Sequence, residues 1–524
     1  MSTTIDLGAV TAYALAVAAG YKGTAEAFAT DLANSAKNAA TATERATAAG
    51  TSATEAAASA KRADDIVKSI TLNKYSVRFT GAASAGVRED SAIGMVANVA
   101  TGGAVVKNDF DRVSFFDRPI CCCTRSVTAK SGWIVNAYRG EPGFAADGTN
   151  GEVMYECKPF YYKASPDLTF VSVSGTPMEA YQLAPMFKDG ETKVYCPSYW
   201  MGNVGGKATS RSGDIPSPGG PNSLTALART FDAGAFLEPM TVRFSDYLLQ
   251  LVEFADRNLK AVMAGAQVMR YNGEFDKIVS VVSTTVFTTT AAVGGAFVDG
   301  QSISIGSARN GSDRIYNVKI NTIVTAGDVS TFTLNVPVPT MAAGDFISTR
   351  CWQNGATDVV VASSGSPVSN SDGKHPCIWR GKVDPWAHCW STLADVLVKR
   401  EGLGTAENPY TYVPYFLPDP KKYANGAITA DYVRCNTVLP PTSGYVKALA
   451  QDSRYPAAFG PAELGAASNT YVSSYFYNYG YEVAGLVVGG SWNGGGGCSP
   501  VCFFCCPPSA GDISILGRLF VLPE

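Results

Sequence analysis

The sequence predicts an α+β protein, in which an N-terminal helix forms a coiled coil and a long β-rich region follows. Residues 1–70 are rich in Ala and Thr and contain no Pro, which favours one continuous helix. From about residue 71, short runs of Val, Ile, Thr and aromatic residues alternate with turns containing Gly and Asp, a pattern typical of β-strands. Within this region Tyr247, Leu248 and Leu251 lie at helical spacing, which predicts a further helix.

The coiled coil is predicted from a repeat in residues 25–70. Steps that alternate between three and four residues reach only apolar or small side chains: Ala25, Phe28, Leu32, Ser35, Ala39, Ala42, Ala46, Ala49, Ala53, Ala56, Ala60, Ala63, Val67 and Ile70. A sustained repeat of this kind is typical of a left-handed coiled coil. The alternative is a solvated helix in which frequent Ala residues fall into register by chance.

Changes of pattern divide the chain into five segments, because 524 residues are too many for one compact domain. Residues 1–70 form the helix and coiled coil, and residues 71–110 form a β-rich collar. Residues 111–274 and 351–524 are the two parts of one large domain. Residues 275–350 interrupt that domain as a small all-β module, since their Val/Ile/Thr-rich runs are separated by Gly-containing turns without a helical pattern.

Charge and hydropathy argue against two classes of partner. The formal net charge is −3 and no basic stripe is visible, so we expect no nucleic acid partner. The apolar stretch from Gly8 to Tyr21 is too short to span a bilayer, and no uncharged apolar run of about 18 residues follows it. Its flank carries Asp6 rather than Lys or Arg, unlike a secretory signal. We expect neither membrane insertion nor a targeting signal.

The cysteines and histidines do not predict a reactive site. The 13 Cys residues are odd in number and include an adjacent triplet, so most are expected to be free, apolar thiols. The four cysteines between residues 498 and 506 lack a nearby His, whereas zinc sites usually add distant ligands. His375 and His388 are interpreted as structural. We therefore predict no catalytic residue, metal or cofactor, and no enzyme activity.

Four segments, in the same order along the chain, resemble phage proteins. AYALAVAAGYKGTAEAFATDL resembles the opening of phage tail proteins, and VNAYRGEPGFAADGTNGEVMYECKPFYYK resembles the first strands of their lectin-like domains. Pro385, Trp386 and Trp390 match a third segment, and residues 464–520 resemble a C-terminal signature. The chain thus resembles phage tail fibre or receptor-binding proteins with a C-type-lectin-like (formylglycine-generating-enzyme-like) domain, similar to retroelement-diversified variable proteins and the major tropism determinant. It departs from them after Trp390, where Ser-Thr-Leu-Ala-Asp replaces Trp-Val-Asp-Gly.

The resemblance implies a virion protein, made in the host cytoplasm and assembled as a homotrimer on the phage tail or capsid. Residues 1–70 would attach it to other tail or capsid proteins, and its C-terminal surface would bind a host cell-surface receptor, either a protein or a polysaccharide. The family's structural anchors correspond to Trp386, Trp390, Gly489, Gly490, Trp492 and Arg518. In such proteins the segment between the last anchors is the ligand-contacting surface.

We accordingly predict an irregular, exposed tip between Trp492 and Arg518. Six aromatic rings between Tyr471 and Tyr481 exceed what one strand can bury, so part of them should be exposed and available for binding. The predicted ligand-binding residues are Tyr475, Tyr477, Tyr479, Asn493, Gly494, Gly497, Phe504, Cys506, Pro507, Ala510 and Asp512.

Residues 493–516 contain no Lys, Glu, Gln, Met or Trp, the spectrum that adenine-directed mutagenesis of Asn codons would leave. We interpret this as a sign of retroelement diversification, with chance composition as the alternative. The sequence leaves two rival functions open. One is a structural or decoration fibre without a receptor role, and the other is an enzyme on the formylglycine-generating-enzyme-like scaffold.

Overall fold

A computed structural model of the protein describes residues 7–70, 73–268, 270, 273–350 and 352–522. The chain forms two compact units, Met1–Asn73 and Lys74–Glu524. Strands make up 31% of the structure and helices only 17%. The predicted fold class is therefore wrong: the protein is mostly β-sheet, rather than an α+β chain with an N-terminal coiled coil and a C-type-lectin-like domain carrying an inserted module.

The first unit contains a hairpin of two helices, α1 (Leu7–Ala18) and α2 (Ala25–Ile70). Three aromatic rings close it, because Phe28 lies 5.6 Å from Tyr13 and 5.3 Å from Tyr21, measured between ring centroids. The Tyr13 hydroxyl donates to the Gly23 carbonyl at 3.0 Å. At the start of α2, the Thr24 hydroxyl accepts from the Ala27 N–H at 3.2 Å, as an N-cap residue does.

The predicted coiled coil is wrong, because this hairpin uses the aromatic end of the repeat within one chain. Phe28 packs on Tyr13, while Leu32 is 51% exposed. The Ser and Ala positions of the repeat from 35 to 60 are all exposed, and an Ala side chain buries too little apolar area to bring helices together. The side chains of Ala63, Val67 and Ile70 lie outside the described residues.

The second unit begins with strands that are mostly short. In chain order they are β1 (Lys74–Arg78), β2 (Val87–Asp90), β3 (Ala100–Thr101), β4 (Ile120–Arg125), β5 (Trp133–Tyr138), β6 (Glu152–Cys157), β7 (Tyr161–Ala164), β8 (Phe170–Ser174), β9 (Gln182–Leu183), β10 (Val194–Pro197), β11 (Gly202–Val204), β12 (Lys207–Thr209) and β13 (Phe236–Leu237). Three helices accompany them: α3 (Pro221–Ala228), α4 (Met240–Phe254) and α5 (Leu259–Val262).

The middle of the unit is a six-stranded antiparallel sheet with its own hydrophobic core. Its strands are β14 (Ser280–Ser283), β15 (Val286–Thr290), β16 (Ser302–Gly306), β17 (Ile315–Ala326), β18 (Val329–Leu334) and β19 (Phe346–Ser348), with the short helix α6 (Ala291–Gly294) after β15. The spatial order is β14-β15-β18-β17-β16-β19. Phe287 and Phe332 stack at its centre with ring centroids 4.9 Å apart.

The remaining strands belong mainly to the largest sheet. They are β20 (Ser364–Ser366), β21 (Ile378–Trp379), β22 (Lys382–Val383), β23 (Trp390–Glu401), β24 (Thr411–Phe416), β25 (Val433–Arg434), β26 (Gly444–Ala450), β27 (Gly460–Leu464), β28 (Tyr475–Asn478), β29 (Val483–Gly489), β30 (Ser499–Cys506), β31 (Ile515–Leu516) and β32 (Leu519–Phe520).

Seven sheets result among the described residues. The largest has nine strands in the order β25-β24-β23-β29-β30-β28-β26-β27, with β31 paired to β23. The others run β2-β1-β8-β7-β9, β10-β6-β4-β5, β22-β21-β20-β3, β11-β12 and β13-β32, besides the six-stranded sheet. Most pairs are antiparallel, but β28 runs parallel to β30. Strand β30 thus lies inside the largest sheet, between β28 and β29.

Helix α4 is the central packing element of this unit, against β1, β8 and β23. Every residue of the helix except Thr241 is buried. Its buried charges are paired: Arg243 with Glu238 at 2.9 Å, Asp246 with Arg118 at 2.6 Å, and Glu253 with Arg380 at 2.8 Å. Because a buried charge is costly unless it is paired and hydrogen-bonded, these pairs fix which strands can lie beside the helix.

Lys382 of β22 connects two of these pairs. Its ammonium contacts both Glu238 and Asp246. Although burial alone would raise the pKa of Glu238, Arg243 and Lys382 lower it to about 2. The network therefore keeps Glu238 charged over the whole physiological range.

We expect Asp246→Asn to lower the free energy of unfolding by about 3–5 kcal/mol, because it removes the carboxylate shared by two buried cations. Asp431→Asn is the matched control, since Asp431 also pairs with a lysine, Lys422 at 2.7 Å, but at the surface; its cost should be about 0–1 kcal/mol. Urea unfolding of both variants measures the difference. Equal costs would contradict the role given to the buried network.

The buried carboxyl of Asp395 predicts a pH dependence. Burial raises its pKa to about 7, its Oδ1 accepts the Met240 N–H at 2.7 Å, and its Oδ2 has no partner among the described residues. The unfolded side chain releases its proton near about pH 3.9. Stability should therefore fall as the pH rises from about 4 to 7 and level off above, by about 4 kcal/mol at most.

Asp395→Asn should remove this contribution. We expect the unfolding midpoint of the variant to change less than that of the wild type between pH 4 and 7. The stability of the variant relative to the wild type should therefore increase as the pH rises. Urea unfolding across that range measures both profiles, and parallel profiles would refute the assignment.

Candidate functional site

Residues 499–506, predicted as part of an irregular exposed tip, instead form the interior strand β30. Phe503 and Phe504 pair with Val488 and Val487 of β29 on one side and with Phe476 and Tyr477 of β28 on the other. The prediction of an exposed tip is wrong for this segment. The physical reason is that an uncharged run of small and aromatic side chains meets the requirements of a fully buried strand.

The two faces of β30 have different surroundings. Phe503 is fully buried and lies 5.7 Å from Phe459, which stacks at 5.9 Å on Tyr247 of α4. Phe504 points to the other face, since side chains alternate along a strand, and it is only half-buried. Helix α4 therefore supports β30 from one side and leaves Phe504 on the opposite side.

Phe504 belongs to a cluster of six rings, which we call the aromatic face: Trp390, Tyr445, Tyr475, Tyr477, Tyr479 and Phe504. Phe504 lies 5.5 Å from Trp390, 6.1 Å from Tyr477 and 5.5 Å from Tyr479. Tyr475 lies 4.5 Å from Tyr477 and 5.0 Å from Tyr445. The rings are tilted or edge-to-face, the arrangements that aromatic quadrupoles favour.

Strand register explains why these rings meet. Tyr477 is directly opposite Phe504, and Tyr445 is directly opposite Tyr475. Between the two tyrosines of β28, Phe476 turns to the core and is fully buried. Tyr479 follows the end of the strand and is 61% exposed. The face therefore grades from Trp390, which is nearly buried, to a ring that stands in solvent.

A glycine turn borders the aromatic face. Gly495–Gly497 form one turn of 3₁₀-helix, and a Cβ atom at Gly497 would lie 3.1 Å from the Cβ of Tyr475. Gly490, at φ +83°, has no room for a side chain, because its Cβ would overlap Cys498. Asn493 is exposed, and its Oδ1 accepts from the Ser491 hydroxyl at 2.9 Å. Gly494, which follows Asn493 and precedes the glycine turn, is half-buried.

The other predicted ligand residues do not join the aromatic face. Cys506 ends β30 and is buried. Pro507 and Ala510 lie in the loop that follows, where the backbone of Ala510 contacts Gly220 at the start of α3. Asp512 is exposed, but its Oδ1 accepts from the Ser514 N–H and hydroxyl at 2.8 and 2.6 Å. The structure thus brings together Tyr475, Tyr477, Tyr479, Gly497 and Phe504.

No protein-family model and no curated protein matches this chain. The site must therefore be judged from its own geometry. The sequence did not predict that Tyr445 belongs to the aromatic face. It predicted Trp390 only as a structural anchor and not as a member of this face. The sequence signal that could have identified Tyr445 is weak. A single aromatic residue in a strand of apolar and polar residues does not indicate which other strand pairs with that strand.

The predicted anchors are all in the interior or in turns. Trp386 is buried and its Nε1–H donates to the Met263 carbonyl at 2.9 Å. Trp492 packs in a buried cluster with Trp200 and Trp352. Gly489 has φ +103°, a region that favours glycine. Arg518 is fully buried over the ring of Trp200, at 4.0 Å, and donates to the Ser198 and Asp384 carbonyls at 3.1 and 2.9 Å.

The ionisable side chains near this site form no metal cluster. Within the described ranges, no group of three or more His, Cys, Asp or Glu residues could hold a metal ion. His388 is fully buried and its Nδ1 lies 2.7 Å from Asp384 Oδ2, while His375 makes the same kind of contact with Asp372. No helix in the described part of the chain has the length and apolar character needed to cross a bilayer.

The described cysteines are all buried as free thiols; Cys351 lies outside the described residues. Burial raises the pKa of Cys498 and of Cys506 to about 12, and raises that of Cys502 and Cys505 as well. Since the thiolate is the reactive form, these side chains should be inert in the folded protein.

We expect the cysteines of β30 to resist a disulfide-exchange reagent such as DTNB in the native protein at about pH 8, because a thiol of pKa about 12 holds about a thousandfold less thiolate than an exposed one. Ser509→Cys places a thiol on an exposed position just beyond β30 and is the positive control, which should react at once. Peptide mapping of the labelled sites provides the measurement. If Cys502, Cys505 and Cys506 react as fast as the new thiol, β30 is not an interior strand.

Proposed function

We propose that this protein is a phage virion protein that acts as a receptor-binding tail fibre, and that the aromatic face contacts the host surface. The observation that supports the proposal is the cluster of half-exposed tyrosines on a rigid sheet. Tyr offers a large, rigid and amphipathic contact area at low entropic cost, and it is frequent among binding hot spots. A soluble protein gains nothing from exposing such a cluster unless another surface covers it.

The rigidity of the support favours binding as well. Tyr475 and Tyr477 belong to β28, which pairs with β26 and β30 on its two sides. Their rings are therefore held in position before any ligand arrives, so that little ordering entropy is lost on contact. The most exposed ring of the face is Tyr479, just beyond the end of β28.

The resemblance of the sequence motifs to phage tail proteins supports the virion assignment. We propose that residues 1–70 attach the protein to tail or capsid proteins and that the functional particle presents a homotrimer. Three copies of a modest site would then act together, since the second and third contacts form at a high effective concentration. The receptor would be a protein or a polysaccharide, because exposed tyrosines bind both kinds of surface.

The proposal includes diversification of residues 493–516 by a retroelement. Its support is the residue spectrum of that segment, which lacks Lys, Glu, Gln, Met and Trp. Sequencing the coding region should find a near-identical template repeat and a reverse transcriptase gene beside it. Their absence would reject diversification without touching the adhesion proposal.

Tyr479→Ser and Tyr475→Ser should each weaken attachment of the purified, labelled protein to its host cells by at least about tenfold, the effect of losing about 1.4 kcal/mol at a hot spot. Phe275→Ser is the matched control, because Phe275 is also an exposed ring, at 81%, but lies beside the six-stranded sheet, which has its own core. Cell-binding isotherms across a panel of bacteria measure the effect.

Attachment that survives both substitutions unchanged would reject the aromatic face as the contact surface. Labelling the intact particle with an antibody against the protein tests the virion assignment separately. If the label finds the protein on the particle while attachment is unaffected by the substitutions, a structural fibre without a receptor role is the better description.

A further inference from the structure

A second concave site lies in the Lys74–Glu524 unit, apart from the aromatic face. It is a cleft of about 230 Å³ between the turns at Gly81 and Asp167 and the strand pair β26–β27. Arg257, Lys447, Glu463 and Tyr471 also line it. Its volume is below the range of about 300–1,000 Å³ typical of drug-sized sites, so the cleft suits a single small group.

Arg257 sets the chemistry of this cleft. Only 6% of Arg257 is accessible to solvent. Its guanidinium lies 5.1 Å from the ring of Phe79 and 5.9 Å from the ring of Tyr471. Its Nη2 donates to the carbonyls of Gly81 and Ala83 at 3.2 and 2.6 Å. In the part of the chain that the structure describes, its Nε has no hydrogen-bond partner and no carboxylate forms an ion pair with the guanidinium.

This lack of an anion separates Arg257 from the other buried arginines. Arg118, Arg243 and Arg380 each pair with a buried carboxylate of the α4 network. Arg518 has only carbonyl partners, but it is fully enclosed and lines no cleft. A buried cation without an anion is costly, and burial lowers the pKa of Arg257 below its ordinary value. Among the buried arginines that the structure describes, Arg257 alone combines this deficit with access from a cleft.

Tyr471 supplies a ring beside that cation. Its backbone has φ +52° and its N–H donates to the Ala82 carbonyl at 2.8 Å. A bulky residue in the left-handed region is strained, and such strain tends to collect at ligand sites. Ser473 has the same φ, +52°. The backbone on both sides of Val472 is therefore bent in a way that holds the Tyr471 ring at the cleft.

The rim carries polar groups suited to hydroxyls. Asp167 uses its Oδ1 for three hydrogen bonds, from the Ser165 hydroxyl at 2.7 Å and from the Thr169 N–H and hydroxyl at 3.1 and 2.8 Å, and these leave Oδ2 available. Lys447 and Glu463 pair at 2.6 Å across the opposite rim. One cation that no carboxylate of the described residues contacts directly, one ring, and several donors and acceptors thus surround a space for one small ligand.

We propose that this cleft binds an acidic monosaccharide unit, with its carboxylate on Arg257, its ring against Tyr471 and its hydroxyls on the polar rim. A carboxylate suits the guanidinium because a hydrogen bond between the two is charge-assisted, and because its negative charge offsets the buried positive one. The inference is independent of the adhesion proposal, since none of the residues of the aromatic face lines the cleft.

Titration calorimetry of the full chain with glucuronate, glucose and acetate tests the inference. We expect glucuronate to bind at least tenfold more tightly than either of the other two, because glucose lacks the carboxylate and acetate lacks the ring. Equal affinity for glucose would overturn the role of Arg257, and equal affinity for acetate would overturn the assignment to a sugar.

Tyr471→Asn removes the ring and keeps a residue that tolerates positive φ; it should weaken glucuronate binding at least fivefold. Tyr479→Asn is the matched control, since it removes an exposed ring of the aromatic face, and it should leave glucuronate affinity within twofold. Equal losses in the two variants would overturn the proposal. Arg257→Gln should abolish the preference for glucuronate over glucose; if that variant fails to fold, the three ligands and the two tyrosine variants still decide the matter.

Discussion

The buried charges around α4 are the constraint on which the second unit depends. A helix with fourteen buried positions cannot carry Asp246 and Glu253 unless segments from elsewhere in the chain bring counter-charges to them, whereas Arg243 pairs with Glu238 just before the helix. Arg118 precedes β4, Arg380 lies between β21 and β22, and Lys382 belongs to β22. Segments far apart in sequence are thereby held against one helix. Apolar contacts alone would allow the helix to slide or rotate, whereas paired charges accept one register.

That register extends to the aromatic face through a chain of rings. Tyr247 of α4 stacks on Phe459, Phe459 meets Phe503 edge-on, and Phe503 shares β30 with Phe504. Because successive side chains of a strand point to opposite faces, fixing Phe503 in the core also fixes Phe504 on the outside. The position of the exposed rings is thus a consequence of how α4 is buried.

Local signals in the sequence predicted some of these features and failed for others. The spacing of Tyr247, Leu248 and Leu251 placed a helix where α4 lies, and the crowding of rings between Tyr471 and Tyr481 indicated that part of them had to be exposed. Pairing partners are a different matter. Nothing local shows that Tyr445 lies opposite Tyr475, or that Arg118 meets Asp246, because these contacts join residues far apart in the chain. The coiled coil failed for an energetic reason: a perfect spacing of Ala carries little apolar area.

The burial of the side chains of β30 limits which substitutions this strand can accept. Substitution at Phe503 or Cys505 would change the interior, where added or lost volume costs about 1–5 kcal/mol. Tyr479 and Asn493 are exposed, so other side chains could replace them at little cost to folding. Phe504 lies between these extremes, since it is half-buried against Trp390 and Tyr477. Within the segment proposed to be diversified, residues 493–516, changes at an exposed position such as Asn493 would therefore cost less folding stability than changes at the buried positions of β30, so selection would retain new contacts there more readily.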